Sequence, residues 1–413
     1  MVTVQNVAAQ TPEPSRFKTG SFAHCIPVAF LEHTGMSFDQ RYLELADLKA
    51  KAKKRLPWFV WEYLDSGTGT ETALQRNRQA LDNILFRPSI LHGEHQPDLS
   101  FTIFGQTYAL PFGVAPVGMS GLIWPKAEQH LAQAAAQANF PYCISTLAAE
   151  TPEAIAPHHG GNGWFQLYPP RDPNIRNDMI RRAKDAGFTT MVLTADLPAP
   201  SRRERQTRSG LTHPPKLTPR LLAQISIRPE WALAMLVNGM PRMKTLDAYV
   251  EGGQAKAPPT AHAGYQMRIA PNWDYLQQVR DVWDGPLVVK GVLDPDDATK
   301  LQEYGVDGLW ISNHGGRQFD GAPAAIDVLP QVHAETDLPI IFDSGVEGGL
   351  DIMRALALGA DMVMLGRAWH YALAALGADG PAHLADILQK DLISCMGQIG
   401  VNHPKQAAAR LIT

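Results

Sequence analysis

The chain has 413 residues, of which 45% are hydrophobic and 19% charged, and a formal net charge of -4. This composition is typical of a globular enzyme with a large core, and the absence of a long basic block argues against a nucleic-acid partner. Three widely spaced cysteines predict neither a disulfide framework nor a metal site, and no signal sequence or bilayer-spanning apolar run is apparent, so we expect a cytoplasmic protein.

Residues 1–38 show little periodicity, and we interpret them as an N-terminal extension of one domain that spans 39–413. A helical pattern begins at Asp39. A further helix is predicted over 56–64, with Pro57 in its first turn and Gly67 ending it.

After Pro111 the chain repeats a short apolar run, a break rich in Gly, Pro and Asp, and an amphipathic segment. Eight runs are predicted to be strands: 112–117, 142–145, 164–168, 190–196, 287–291, 307–311, 339–343 and 362–366. Helices are predicted between most of them, including 127–139, 175–186, 294–304 and 350–358. Eight buried strands that alternate with helices predict an α/β fold, the (β/α)8 TIM barrel, and leave a doubly wound open sheet as the alternative.

Polar side chains capable of catalysis or ligand binding stand at or just after the predicted strand ends. They are Tyr168, Asp196, Lys290, His314, Asp343 and Arg367. In a barrel these positions face one cavity, which favours the barrel over the open sheet.

An insertion at 205–270 interrupts the repeat after the fourth predicted strand. A connection of this length is usually a lid or a mobile segment. Its apolar residues over 217–250, flanked by arginine and lysine, could lie on a membrane surface. Packing against the body or against another subunit is the commoner explanation, and the sequence favours it.

The segment 310–320 places His314 and Arg317 three residues apart, just beyond a short apolar run. Histidine can act as a base near neutral pH, and the arginine fork can hold an anion with two hydrogen bonds. Gly315 and Gly316 allow a sharp bend between the two side chains. Taken alone, a surface turn with solvated side chains explains the segment equally well.

From about Tyr42 to the C-terminus the chain resembles the FMN-dependent 2-hydroxy acid dehydrogenase/oxidase family, which includes glycolate oxidase, lactate oxidase and mandelate dehydrogenase. The matching segments are 56–63, 77–78, 86–88, 115–116, 165–168, 193–196, 202–204, 289–291, 312–318, 343–345 and 365–367. The most specific of them is the Ser-Asn-His-Gly-x-Arg-Gln element at 312–318.

The resemblance implies a catalytic set: His314 as base, Asp196 as its hydrogen-bond acceptor, Arg317, Arg203 and Tyr63 as a clamp on the substrate carboxylate, and Tyr168 near the substrate hydroxyl. Such a clamp orients the substrate before reaction. Without the resemblance, Tyr63 would be interpreted as a core aromatic residue of a helix, and Asp196 equally well as a strand-end cap.

FMN is the implied cofactor, because no side chain accepts two electrons in this way. Lys290 is implied to lie beside the flavin N1–C2=O edge, where its charge stabilises the reduced ring. The other implied contacts are Ala115, Pro116, Val117 and Gly118 at the reactive edge, Ser145, Gln166, Thr194 and Ser312 on the ring or ribityl chain, and Asp343, Gly345, Gly366 and Arg367 in the loops that take the phosphate.

Three positions bear on affinity and specificity. Most of the family has an arginine against the flavin phosphate where this chain has Glu347, so the glutamate must point away or be offset by Arg367 or another cation. Gly118 stands where oxidases of the family usually carry alanine, which is similar to mandelate dehydrogenase and lactate monooxygenase. Leu147 replaces an aromatic residue of glycolate oxidase, which suggests room for a larger substrate.

The resemblance therefore implies oxidation of an L-2-hydroxy acid to the 2-oxo acid, with oxygen, a quinone or another protein as electron acceptor. It also implies a homotetramer, with peripheral contact at the inner face of the membrane through 217–250 as a further possibility. One alternative is oxidative decarboxylation of the kind that lactate monooxygenase performs. From a different class, Glu347 leaves open a flavin-free phospholigand-binding or isomerase barrel.

Overall fold

The computed structural model describes residues 37–211, 218–249 and 269–412. In this part of the chain the strands are β1 (Phe101–Ile103), β2 (Gln106–Tyr108), β3 (Phe112–Val114), β4 (Tyr142–Ser145), β5 (Gly163–Leu167), β6 (Thr190–Thr194), β7 (Leu287–Val292), β8 (Gly308–Ile311), β9 (Ile340–Phe342) and β10 (Met362–Leu365). Strands β3 to β10 form a closed barrel of parallel neighbours in chain order, and β10 pairs with β3. This closure confirms the predicted (β/α)8 barrel and excludes the open sheet.

The helices of the described residues surround this barrel, extend it at both ends or lie in the insertion. They are α1 (Phe38–Arg41), α2 (Leu45–Arg55), α3 (Trp58–Asp65), α4 (Thr72–Asp82), α5 (Ser120–Ile123), α6 (Ala127–Ala138), α7 (Pro152–Ile155), α8 (Pro173–Asp185), α9 (Glu204–Arg208), α10 (Pro219–Ser226), α11 (Pro229–Asn238), α12 (Lys244–Asp247), α13 (Trp273–Arg280), α14 (Pro295–Glu303), α15 (Ala325–Ala334), α16 (Gly349–Ala357), α17 (Arg367–Leu376) and α18 (Gly380–Ile399). Short 3-10 turns span His314–Gly316, Gly377–Asp379 and Pro404–Arg410.

Several predicted strands extend too far at their C-terminal ends. The β6–β7 register ends at Thr194 and Lys290, so Asp196, which was predicted to end the fourth strand, lies beyond the ladder. Tyr168 likewise follows β5. The hydrogen-bond ladder stops where the neighbouring strand stops. The end of a strand therefore depends on its partner as well, and the apolar pattern of one segment does not show it. A similar small correction applies to Pro57, which is the N-cap of α3 and not part of its first turn.

A hairpin at the N-terminal end of the barrel was not predicted. Its strands β1 and β2 are antiparallel and contain three residues each. The Phe104 ring in the turn packs 5.7 Å from the Trp164 ring, and Trp164 Nε1 donates to the Tyr108 hydroxyl at 3.2 Å. The Phe104 ring thus closes the N-terminal end of the barrel, and we call it the plug. Gly308 leaves space for the plug, since a Cβ there would lie 2.6 Å from the Phe104 ring. Strands this short give little periodic signal.

The described part of the insertion forms helices that cover one side of the barrel mouth. On α11, Trp231 is buried, meets Phe59 edge-on and donates from Nε1 to the carbonyl of Leu122 at 3.1 Å. Packing against the body therefore explains one face of this helix. The predicted N-terminal extension and the stretches 212–217 and 250–268 of the insertion lie outside the described residues, apart from Ser37 and Phe38. Within the described segments, no helix has the length and apolar character needed to cross a bilayer.

Candidate active site

A cavity of about 950 Å³ opens at the C-terminal ends of the barrel strands. Most of the predicted site residues line it: Tyr63, Ala115, Pro116, Val117, Gly118, Tyr168, Arg203, Lys290, His314, Arg317, Asp343, Gly345, Gly366 and Arg367. The other predicted residues, Asp196, Ser145, Gln166, Thr194 and Ser312, are not among its lining residues. Side chains from distant parts of the chain thus meet at one mouth of the barrel, as reactive groups do in this fold.

The His314 imidazole and the Asp196 carboxylate form a largely buried pair. Nδ1 of His314 lies 3.0 Å from Oδ2 and 3.2 Å from Oδ1 of Asp196. Burial lowers the pKa of His314 despite the opposing effect of Asp196, which favours a neutral imidazole at pH 7. Burial tends to raise the pKa of Asp196, but His314 and Lys290 outweigh it and lower the pKa. With Nδ1–H donating to an ionised carboxylate, Nε2 of His314 is available to accept a proton.

A bulge in β7 makes room for Asp196. The register shifts between Lys290 and Val292, and the intervening Gly291 has a φ of +105°. A Cβ at Gly291 would lie 2.4 Å from Cβ of Asp196. Glycine is therefore required here both for the backbone conformation and for the close approach of the carboxylate that orients the imidazole.

Two asparagine amides hold the turn that carries His314. Nδ2 of Asn77 donates to Oδ1 of Asn313 at 2.8 Å, and Nδ2 of Asn313 donates to Oδ1 of Asn77 at 2.6 Å. Gly316 has a φ of +72°, and a Cβ there would lie 2.8 Å from the backbone nitrogen of Leu74. Because Asn77 and Leu74 belong to α4, this helix positions the His314 turn from outside the barrel.

Arg317 lies beneath the end of α3. Its Nη2 donates to the carbonyl of Tyr63 at 3.0 Å and its Nη1 to the carbonyl of Ser66 at 2.5 Å, so part of the guanidinium fork is held by the backbone. Burial, together with repulsion from Arg203 and Arg367, lowers the pKa of Arg317 to about 9. An anionic ligand would relieve this excess of positive charge, so the cavity is electrostatically suited to a carboxylate.

Arg203 and the two tyrosines come from three other segments. Arg203 immediately precedes α9 and has a φ of +46°, a conformation that is unusual for a side chain of this size. Tyr63 on α3 donates from its hydroxyl to the carbonyl of Gly118 at 2.7 Å. Tyr168 follows β5, and its backbone N–H donates to Oγ1 of Thr146 at 3.1 Å. All three side chains face the same cavity as His314.

A buried ammonium group lies at the centre of the barrel mouth. Nζ of Lys290 lies 2.9 Å from Oδ2 of Asp343 and donates to Oγ of Ser312. Trp310 Nε1 donates to the same carboxylate oxygen at 3.0 Å, and Nζ of Lys290 lies 5.1 Å from the Trp310 ring centroid. The pairing with Asp343 allows a positive charge to remain in a desolvated position.

Three predicted polar residues of neighbouring strands form a buried hydrogen-bonded chain. Oγ of Ser145 donates to Oε1 of Gln166 at 2.9 Å, and Nε2 of Gln166 donates to Oγ1 of Thr194 at 2.9 Å. These contacts satisfy the side chains and fix their orientation. Their hydrogen bonds to a flavin stay a prediction.

The loops after β9 and β10 form the end of the cavity predicted to take the phosphate. Gly345 has a φ of +89°, and α17 begins after Gly366 with no side chain capping its first turn. Its N–H groups are therefore a suitable anion site, next to the Arg367 guanidinium. Glu347, with a half-exposed side chain, lies 3.9 Å from Nζ of Lys49.

Sequence reasoning overlooked several residues that support the site. Asn77, Gly291 and Asn313 lie within the segments used to recognise the family, but pairing and close approach are visible only in three dimensions. Nothing in the sequence distinguishes Lys49 as a site residue, because it is one of five basic residues on a Lys-rich helix.

Residues 52–413 match the model of a family described as FMN-dependent dehydrogenase. An L-lactate dehydrogenase of Ectopseudomonas mendocina is 37% identical over 369 residues, which cover 89% of this chain and 97% of the relative. An L-lactate dehydrogenase of Stenotrophomonas maltophilia is 38% identical over 357 residues, covering 86% and 94%.

Solved structures give the same result. A structure described as the monotopic membrane protein (S)-mandelate dehydrogenase superposes with a TM-score of 0.86 at 33% identity, covering 90% of this chain and 100% of that one. A mandelate oxidase superposes with a TM-score of 0.76 at 34% identity, covering 90% and 98%.

Proposed function

Because the chain belongs to the FMN-dependent dehydrogenase family and oxidises a 2-hydroxy acid with FMN, we propose that His314 is the base of this reaction. The observation that carries the proposal is the buried pair between Nδ1 of His314 and Asp196, in one cavity with Arg203 and Arg317. The flavin-free alternative is set aside by the family match.

The cavity residues fit FMN. The volume of about 950 Å³ has space for a flavin and a small acid, and Lys290 supplies a positive charge at the barrel centre. The uncapped start of α17 with Arg367 suits the phosphate, while Gly345 and Gly366 bring backbone close to it. When bound, FMN supplies the electron sink that the side chains lack.

Arg317 and Arg203 hold the substrate carboxylate, and the Tyr63 hydroxyl completes the clamp. The neutral His314 takes the hydroxyl proton on Nε2. As the O–H bond breaks, its electron pair forms the second bond of the carbonyl, and the α-hydrogen leaves with the two electrons of the Cα–H bond, for which bound FMN would be the acceptor. Asp196 stabilises the imidazolium that results, and Tyr168 lies beside the substrate hydroxyl.

We expect that anaerobic mixing with an L-2-hydroxy acid will bleach the bound flavin, whereas the D enantiomer will not. L-lactate or L-mandelate should act faster than glycolate, because Leu147 beside Gly118 leaves space for a side chain. The product should be the 2-oxo acid with its carbons intact. A flavin that no L-acid reduces would contradict the proposal, and recovery of a shortened acid with CO2 would favour the monooxygenase alternative.

Of the acceptors that the resemblance leaves open, we propose a quinone held in a membrane rather than oxygen or another protein. Exposed apolar side chains cluster on and beside α10 and α11, and we call this set the apolar patch: Leu222, Ile227, Leu233, Leu236, Val237 and Met240. Such a patch on a monomer typically marks an interaction site, and the exposed Arg220 on α10 would suit anionic lipid. The description of the (S)-mandelate dehydrogenase as monotopic supports this assignment. Together with the cytoplasmic location expected from the sequence, this contact would place the protein at the inner face of the membrane.

Replacing Leu236 and Val237 together with aspartate is expected to release the protein from anionic lipid vesicles in a sedimentation assay. These side chains are 80% and 75% exposed, so their replacement should leave the fold intact. Flavin reduction by substrate should be unchanged, whereas turnover with a membrane quinone should fall. The control is Ile90→Asp, which alters an equally exposed residue outside the patch.

Vesicle binding equal to that of the unmodified protein would contradict membrane contact through the patch. A change in oligomeric state without a change in vesicle binding would instead identify the patch as a subunit interface. Light scattering measures that state directly and tests the homotetramer that the resemblance implies. The domain organisation belongs to the same proposal: an FMN-binding barrel over 39–413, with the insertion 205–270 beside the mouth of the site.

A further inference from the structure

The end of the cavity that is proposed to take the FMN phosphate contains two carboxylates, whose negative charge would repel the phosphate. Glu347 and Asp65 both line it, together with Arg367, Arg78 and Lys49. A dianionic phosphate beside the start of α17 would be repelled by two carboxylates unless cations offset them. The hydrogen bonds of the three cations show which of them have N–H donors left for a ligand.

Arg78 has no N–H donor left for a ligand. Its Nε donates to Asp82, its Nη1 to Asp351 and the carbonyl of Gly345, and its Nη2 to Asp82 and Asp351. These bonds use all five N–H groups of the guanidinium. Arg78 therefore shapes the loop at Gly345 without being available to bind an anion.

Arg367 is partly committed. Its Nε donates to the carbonyl of Leu64 at 3.2 Å, and its Nη2 donates to the carbonyls of Ser66 and Gly315 at 3.3 and 2.8 Å. Only Nη1 is left without a hydrogen bond to the described residues. One terminal nitrogen is a small donor set for a phosphate that carries two charges and three strong acceptor oxygens.

Lys49 differs from both arginines. Its Nζ lies 3.4 Å from Oδ1 of Asp65 and 3.9 Å from Oε1 of Glu347, but it forms no hydrogen bond with the described residues. The hydrogen bonds of Asp65 come from other residues, since the Tyr371 hydroxyl and Arg205 donate to that carboxylate at 2.8 and 3.0 Å. The ammonium is thus held at the cavity edge by charge and by the Tyr371 ring, 5.3 Å from Nζ, and its N–H groups form no hydrogen bond with the described residues.

We propose that Lys49 binds the FMN phosphate directly, alongside Arg367, and that Glu347 and Asp65 hold the ammonium in place for this contact. Glu347 is then a positioning residue for a cation that comes from α2, outside the barrel strands and their loops. The proposal rests on the placement of the phosphate beside Gly366 and Arg367.

Comparison of FMN with riboflavin, which lacks the phosphate, tests this contact. In the full-length chain freed of flavin, Lys49→Gln should raise the FMN dissociation constant about tenfold, as expected for loss of a charged hydrogen bond. The riboflavin dissociation constant, measured by the same quenching of flavin fluorescence, should not change. Lys49→Arg should retain the preference for FMN. Equal effects on both ligands, or no effect on either, would overturn the proposal.

Lys54→Gln is the matched control, because Lys54 is an exposed lysine on the same helix that does not line the cavity. In a Glu347→Gln background the effect of Lys49→Gln should be smaller but still present, because Asp65 still holds the ammonium. If it disappears there, Lys49 acts only by neutralising Glu347 and the proposal is wrong. Arg367→Met separates the position of the phosphate from the role of Lys49. If neither Arg367→Met nor Lys49→Gln changes FMN affinity, the phosphate lies elsewhere. If only Arg367→Met lowers FMN affinity, the phosphate lies at this site but Lys49 does not bind it.

Discussion

Replacing His314 with alanine is expected to slow the reduction of bound FMN by substrate by roughly 10²- to 10⁴-fold, the usual contribution of a general base. The reason is that Nε2 of His314 is the proton acceptor that the Asp196 pair orients towards the cavity. FMN binding should be nearly unchanged, since other residues are proposed to hold the cofactor. Anaerobic stopped-flow mixing, which records the loss of flavin absorbance, measures the rate directly.

The same assignment fixes the pH dependence of the unmodified enzyme. The base must be neutral to accept a proton, and burial lowers the pKa of His314 from its ordinary value of 6.5. The rate of flavin reduction should therefore be level between pH 6.5 and the pKa of about 9 at Arg317, and should fall as the pH drops through the lowered pKa of His314. Full reduction rates in His314→Ala would refute the role of base, and the exposed His92, changed to alanine, serves as the control.

Arg317→Lys is expected to raise the Michaelis constant for the 2-hydroxy acid by about 10- to 100-fold while changing kcat less, if the arginine binds the carboxylate in both ground and transition states. Lysine keeps the charge but loses the planar fork that the carbonyls of Tyr63 and Ser66 hold in place. Charged hydrogen bonds contribute about 1.5 to 3 kcal/mol each, which sets this range. Steady-state kinetics with a soluble electron acceptor provides both constants.

Arg208→Lys is the matched control, because this arginine is exposed on α9 and does not line the cavity. It should leave the Michaelis constant unchanged. An unchanged constant in Arg317→Lys would count against the carboxylate clamp. A lower thermal unfolding temperature with normal kinetics would instead assign Arg317 to holding the end of α3 alone.

The local pattern predicted the barrel and the eight strands well because a strand that is buried on both faces needs a continuous apolar run. Tyr142–Ser145 was predicted at its observed boundaries. The plug at Phe104 and the ladder end before Asp196 were not predictable in the same way. Each of these features depends on contacts with a second segment of the chain. The residues of one segment do not show where its partner lies or ends.

The amino-acid sequence by itself determined the fold class, the family and the chemical types brought to the site: an imidazole, guanidinium groups and a buried ammonium. These follow from motifs that are contiguous in the chain. Only the tertiary structure decided that Asp196 fits because Gly291 lacks a side chain, and that Lys49 on α2 lies near Glu347 in the loop after β9. Close approach and charge pairing act through space at 2 to 4 Å, between residues that the chain separates by about 100 positions or more.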